Sequence, residues 1–74
     1  MKINEILKEE NIGNEYTFFP DVNCESDKTY VLLKPFGQPE LFAIGYEGEE
    51  RIEDEYYLKT LLEGEFVLIK ENKN

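Results

Sequence analysis

The chain has 74 residues, with 17 acids against 8 bases, no histidine and a formal net charge of −9. A length of this order is one small domain, and so negative a surface repels DNA, RNA and anionic membranes while suiting a basic protein partner. With a lone cysteine, Cys24, an intrachain disulfide is excluded, and without histidine Cys24 lacks both the usual catalytic base and the usual zinc co-ligand.

Ile3, Ile6 and Leu7 share a helical face, so a short amphipathic helix is predicted over Asn4 to Glu10, with Asn4 as its N-cap. Asn11-Ile12-Gly13 supplies a left-handed stop. Glu15 to Phe19 is aromatic and β-branched, hence a strand, and Pro20 ends it. Asp21 to Asp27 is a polar loop. Its Asp21, Asn23, Glu25 and Asp27 alternate as in the first half of a calcium loop, but Ser26 stands at the glycine position and Leu32 at that of the bidentate acid. No metal site is expected there.

Thr29 to Lys34 is a second strand, apolar on both faces and so expected in the middle of a sheet. Pro35 to Pro39 is a turn into a third strand, Glu40 to Tyr46, where Gly45 marks a bulge. After a turn at Glu47-Gly48-Glu49, Arg51-Ile52 suggests a short strand. Tyr57, Leu58, Leu61 and Leu62 share one face of a second helix, Glu55 to Glu63, which Asp54 should cap and Gly64 should close. Glu65 to Lys70 is a last strand, apolar on both faces, and Glu71 to Asn74 should fray. The order is αβββαβ: an α+β domain with a mainly antiparallel sheet and two short helices packed on one face.

Catalytic chemistry is the weakest reading, because histidine, a rich supply of hydroxyl nucleophiles and a glycine-rich phosphate loop are all missing. No enzyme activity and no cofactor are expected. Function falls instead on the acid run: Glu47, Glu49, Glu50, Glu53, Asp54 and Glu55, edged by Tyr46 and Tyr56. Such a row of carboxylates resembles a phosphate track and can fill the basic groove of a nucleic-acid enzyme, with Glu9, Glu10 and Glu15 as extensions. The competing reading is a solvated loop whose acids cap a helix. If helix 55–63 buries Tyr57, then Tyr56 points outward beside the acids, and Phe36 is exposed at its turn.

The opening MKINEILKEENIG and the closing YYLKTLLEGEFVLIKEN together resemble small acidic accessory proteins of phages and prophages of Gram-positive bacteria. That resemblance implies a cytoplasmic protein of a bacterial host, in a setting where small acidic proteins inhibit host enzymes, anti-CRISPR proteins among them. Two other readings compete. One is an assembly module that forms oligomers, a homodimer for instance, through aromatics or a sheet edge. The other is a nucleotide-sequestering protein, which requires Lys28, Lys34, Arg51 or Lys59 to converge.

Overall fold

Four of the five expected strands appear where aromatic, β-branched and apolar runs between turn residues place them. In the computed structural model, which describes residues 1–45 and 50–72, β1 is Glu15–Phe19, β2 Thr29–Leu33, β3 Glu40–Ala43 and β4 Glu65–Lys70. They form one four-stranded antiparallel sheet in the order β3-β2-β1-β4. The first three strands make a meander, and β4 returns to the far side of β1. β2 is an interior strand, as its apolar run predicts.

Register puts one side chain from each strand pair onto a common face: Tyr16 opposite Tyr30, Tyr30 opposite Ala43, Leu32 opposite Leu41 and Phe18 opposite Phe66. Ile6, Ile52 and Leu61 close this face from the helical side. Phe18 stacks on Phe66 with ring centroids 4.5 Å apart. Each such fully buried side chain contributes about 1.5–3 kcal/mol, enough collectively to hold a domain of this size.

The helices are shorter than their periodicity suggests. Instead of one helix over Asn4 to Glu10, the chain forms α1 at Ile3–Ile6 and a separate 3-10 turn at Glu9–Asn11. Lys2, not Asn4, is the N-cap residue, and its N–H donates to the Glu5 carboxylate at 2.8 Å. A continuous helix would set Glu9 and Glu10 against its negative end, where acids are disfavoured. The break is stabilised by Asn11, whose amide donates to the Ile6 carbonyl at 2.9 Å. Gly13 then takes the left-handed conformation (φ 92°) expected of the stop.

The second helix is corrected more heavily. α2 spans Leu58–Glu63 with Tyr57 as its N-cap residue, and Asp54 ends a 3-10 turn at Ile52–Asp54 without capping it. At 3.6 residues per turn, a helix running from Glu55 would aim Glu55, Tyr56 and Leu61 in three directions. The irregular entry lets all three turn toward the sheet. Gly64 is not left-handed either (φ −69°, ψ 168°). A Cβ there would lie 2.3 Å from the Phe18 ring and 2.9 Å from the Phe19 carbonyl oxygen, so close packing requires this glycine.

Both edges of the sheet are partly occupied. Beside β3, which stops before the predicted Tyr46, the Ala43 N–H donates to the Glu50 carbonyl and Arg51 bridges to Phe42. That bridge replaces the predicted Arg51-Ile52 strand, and Gly45 (φ 85°) lies in the bend beyond β3 instead of in a bulge within it. On the outer side of β4, Met1 and Phe66 exchange backbone hydrogen bonds of 2.7 and 2.9 Å. β4 is apolar but not buried on both faces: Phe66 is enclosed, while Val67, Leu68 and Ile69 are exposed. Asn72, placed by sequence in a fraying tail, donates to Asn14 at 2.7 Å and to the Ile12 carbonyl at 3.1 Å. No helix among the described residues is long and apolar enough to cross a membrane.

Candidate functional site

Of the acid run and its flanking tyrosines, Glu50, Glu53, Asp54, Glu55 and Tyr56 can be placed; Tyr46, Glu47 and Glu49 lie outside the described residues. The placed residues divide into two groups facing opposite ways. Glu55 turns inward, with 12% of its side chain exposed, and lies 3.0 Å from the Lys28 ammonium. Its Oε2 also accepts a hydrogen bond of 3.0 Å from the Tyr30 hydroxyl, while Oε1 has no partner among the described residues. Tyr56 turns inward as well. Its ring meets Phe18 edge-on at 5.1 Å, and its hydroxyl donates to Ser26 Oγ at 3.3 Å. Glu50 is intermediate, 3.3 Å from Lys28 and partly exposed.

This inward half is a small charged network at the end of the sheet. The hydrogen bond that Lys28 donates to Glu55 holds its ammonium above the usual lysine range against the opposing effect of burial, and Glu50 adds to it. Burial pushes the Tyr30 phenol well above its ordinary value, with the adjacent Glu55 charge acting in the same direction. A carboxylate this enclosed depends on the two donors it has, since an unpaired buried charge is costly.

The outward half is Glu53 and Asp54, both exposed. Glu53 lies 3.4 Å from the exposed Arg51 guanidinium, which is equally close to Glu40. Pairs this open to water hold little energy and do not bury their charge. The proposed extensions are scattered. Glu9 pairs with Lys34, Glu15 lies 3.8 Å from Lys70, and Glu10 is exposed.

Three exposed side chains were misplaced by the helical pattern. Tyr57, Leu58 and Leu62 were expected inside, yet they are 87%, 71% and 51% exposed, and only Leu61 of that face is buried. Phe36 is exposed at its turn, as expected. The helical pattern held no signal for this exchange: of the adjacent pair Tyr56-Tyr57, Tyr56 is the one whose ring reaches Phe18.

Leu58 and Leu62 stand at the mouth of an apolar groove of about 250 Å³ between α1, α2 and the start of β3. Leu7, Leu41, Ile52 and Leu61 also line it, and Glu40 and Glu53 bring carboxylates to it. Glu53 therefore belongs to both surfaces, the acidic turn and the groove. Of the basic residues named for a nucleotide site, Lys28, Lys34 and Arg51 are each engaged by carboxylates of the chain, and Lys59 is exposed on α2. Among the described residues no group of three or more His, Cys, Asp or Glu side chains is arranged to hold a metal ion. Asp21 instead accepts from the Asn23 N–H, and Glu25 accepts from the Thr17 hydroxyl. No family model matches this chain, and no curated protein or solved structure is significantly similar to it.

Proposed function

We propose that this chain is a non-enzymatic, acidic binding protein that docks on a basic protein surface, and that the partner is a nucleic-acid enzyme met in the cytoplasm of a bacterial host. The supporting observation is the meeting of exposed Glu53 and Asp54 with exposed Tyr57 and Leu58 on one short turn. Carboxylates steer association with a basic groove, while aromatic and leucine side chains provide the area that holds the complex together. The inhibitor blocks the site where the enzyme receives phosphates and weakens as salt rises. Glu50 and Glu55, committed to Lys28, hold the turn in shape, while Glu53, paired only in the open with Arg51, and Asp54 face the partner.

The test is a pull-down from bacterial lysate with wild type and Glu53→Lys/Asp54→Lys, at low and high salt. Both changes fall on exposed side chains, so the fold tolerates them. A nucleic-acid enzyme retained by wild type, lost by the variant and released by salt is the expected result. Equal retention of the same protein by both would remove the acids from the mechanism.

A further inference from the structure

We propose that the apolar groove between α1 and α2 seats a basic amphipathic helix of the partner. One or two bulky apolar side chains of that helix fill the groove, and its flanking lysines or arginines reach Glu40 and Glu53. This rests on the docking reading above and goes beyond it by naming what the partner presents.

The size of the groove is the first argument. At about 250 Å³ it lies below the roughly 300 Å³ at which pockets for drug-sized ligands begin, and it suits side chains better than a cofactor. Its mouth is the second. Leu58 and Leu62 are a helical turn apart and both largely exposed, so they offer a short apolar strip, the counterpart of anchors at i and i+3 or i+4 on an incoming helix.

Charge selects the occupant. A second copy of this chain would bring its own net charge of −9 and set Glu40 and Glu53 against identical acids. A helix bearing Lys or Arg beside its apolar stripe meets the same acids favourably. Arg51 lies 3.4 Å from both of these carboxylates, so a partner cation shares them with it, in pairs open enough to water to exchange at little cost.

The probe is a fluorescent peptide of leucine and lysine with its leucines at helical spacing, compared with a permuted peptide of the same composition whose leucines share no face. Binding is followed by anisotropy with wild type, Leu58→Ala/Leu62→Ala and Glu53→Lys. The spaced peptide is expected to bind wild type, to lose about tenfold or more in affinity with the double-leucine variant, as truncated interface anchors do, and to weaken with Glu53→Lys. Equal binding of both peptides, untouched by the leucine changes, would overturn the groove and leave acidic docking standing. Failure of both peptides to bind wild type would overturn the groove proposal alone, since the pull-down with Glu53→Lys/Asp54→Lys decides the docking reading separately. A wild-type dimer in sedimentation that the leucine changes convert to monomer would overturn the proposal by giving the groove to a second copy. Circular dichroism of each variant confirms that loss of binding is not loss of fold.

Discussion

The contact between Gly64 and Phe18 shows how a single position can be dictated by a distant one. Gly64→Ala forces a methyl into the Phe18 ring and against the Phe19 carbonyl. Overpacking of this kind costs about 1–3 kcal/mol, so the urea midpoint should fall with little change in slope. Tyr30 makes a second residue-scale prediction. Its raised phenol and the raised Lys28 ammonium both stabilise the fold below the pKa values of the free groups, and that stability is lost as pH rises through the folded values. Stability should therefore decline from about pH 10 upward, where free phenols and amines begin to titrate. Tyr30→Phe removes a donor from the enclosed Glu55 carboxylate and should cost about 1–3 kcal/mol at neutral pH. The same change flattens the alkaline decline, because the phenol no longer contributes. Thermal melts across the alkaline range read both effects.

Among the elements, both helices were expected in their places in the order but not with their bounds, whereas most strand bounds were legible. β1 and β4 have the boundaries their residues suggest, and β2 ends one residue early. Aromatic, β-branched and apolar runs, Pro20 and the Pro35–Pro39 turn are local signals, and antiparallel pairing leaves them intact. Helices this short derive their stability from packing, so contacts set their ends. Glu55 bonds Tyr30 across 25 residues of chain and Tyr56 bonds Ser26 across 30, and neither distance is visible to a helical wheel. The joint between the N-terminal segment and β4 carries a prediction of its own. Lys2 first, then the Met1 amino group, hold the Glu65 carboxyl below its ordinary value. A depressed carboxyl stabilises above its unfolded pKa and loses that share as pH falls through the folded one. Glu65→Gln should accordingly make the melting temperature less sensitive to acid below about pH 4.5.

For the whole molecule, charge and size act together. The radius of gyration of 11.4 Å matches the roughly 11 Å expected for a compact chain of this length. In a body of 33 × 25 × 19 Å, neighbouring charges lie within the Debye length of about 10 Å at 0.1 M salt, while those at opposite ends of the long axis do not. Self-repulsion outweighs the exposed ion pairs, so added sodium chloride should raise the melting temperature at neutral pH. A gain of about 1 kcal/mol would appear as roughly 4–8 °C. A fall instead would show that the Lys28 and Glu65 pairs dominate the electrostatics. Partly occupied edges bear on assembly at this scale too: Arg51 on β3 and Met1 on β4 take up some of the backbone groups that edge-to-edge pairing would use.

The sequence alone determined the succession of the four strands and the interior place of β2, because β-branched and apolar runs and the turn residues between them are properties a linear chain carries. Only tertiary structure decided which acids and aromatics face outward. Within one irregular stretch, Glu55 and Tyr56 turn inward while Glu53, Asp54 and Tyr57 face the solvent. The stretch has no period of its own, so the direction of each side chain is set by the partners that come to it: Lys28 and Tyr30 for the carboxylate, Phe18 and Ser26 for the ring.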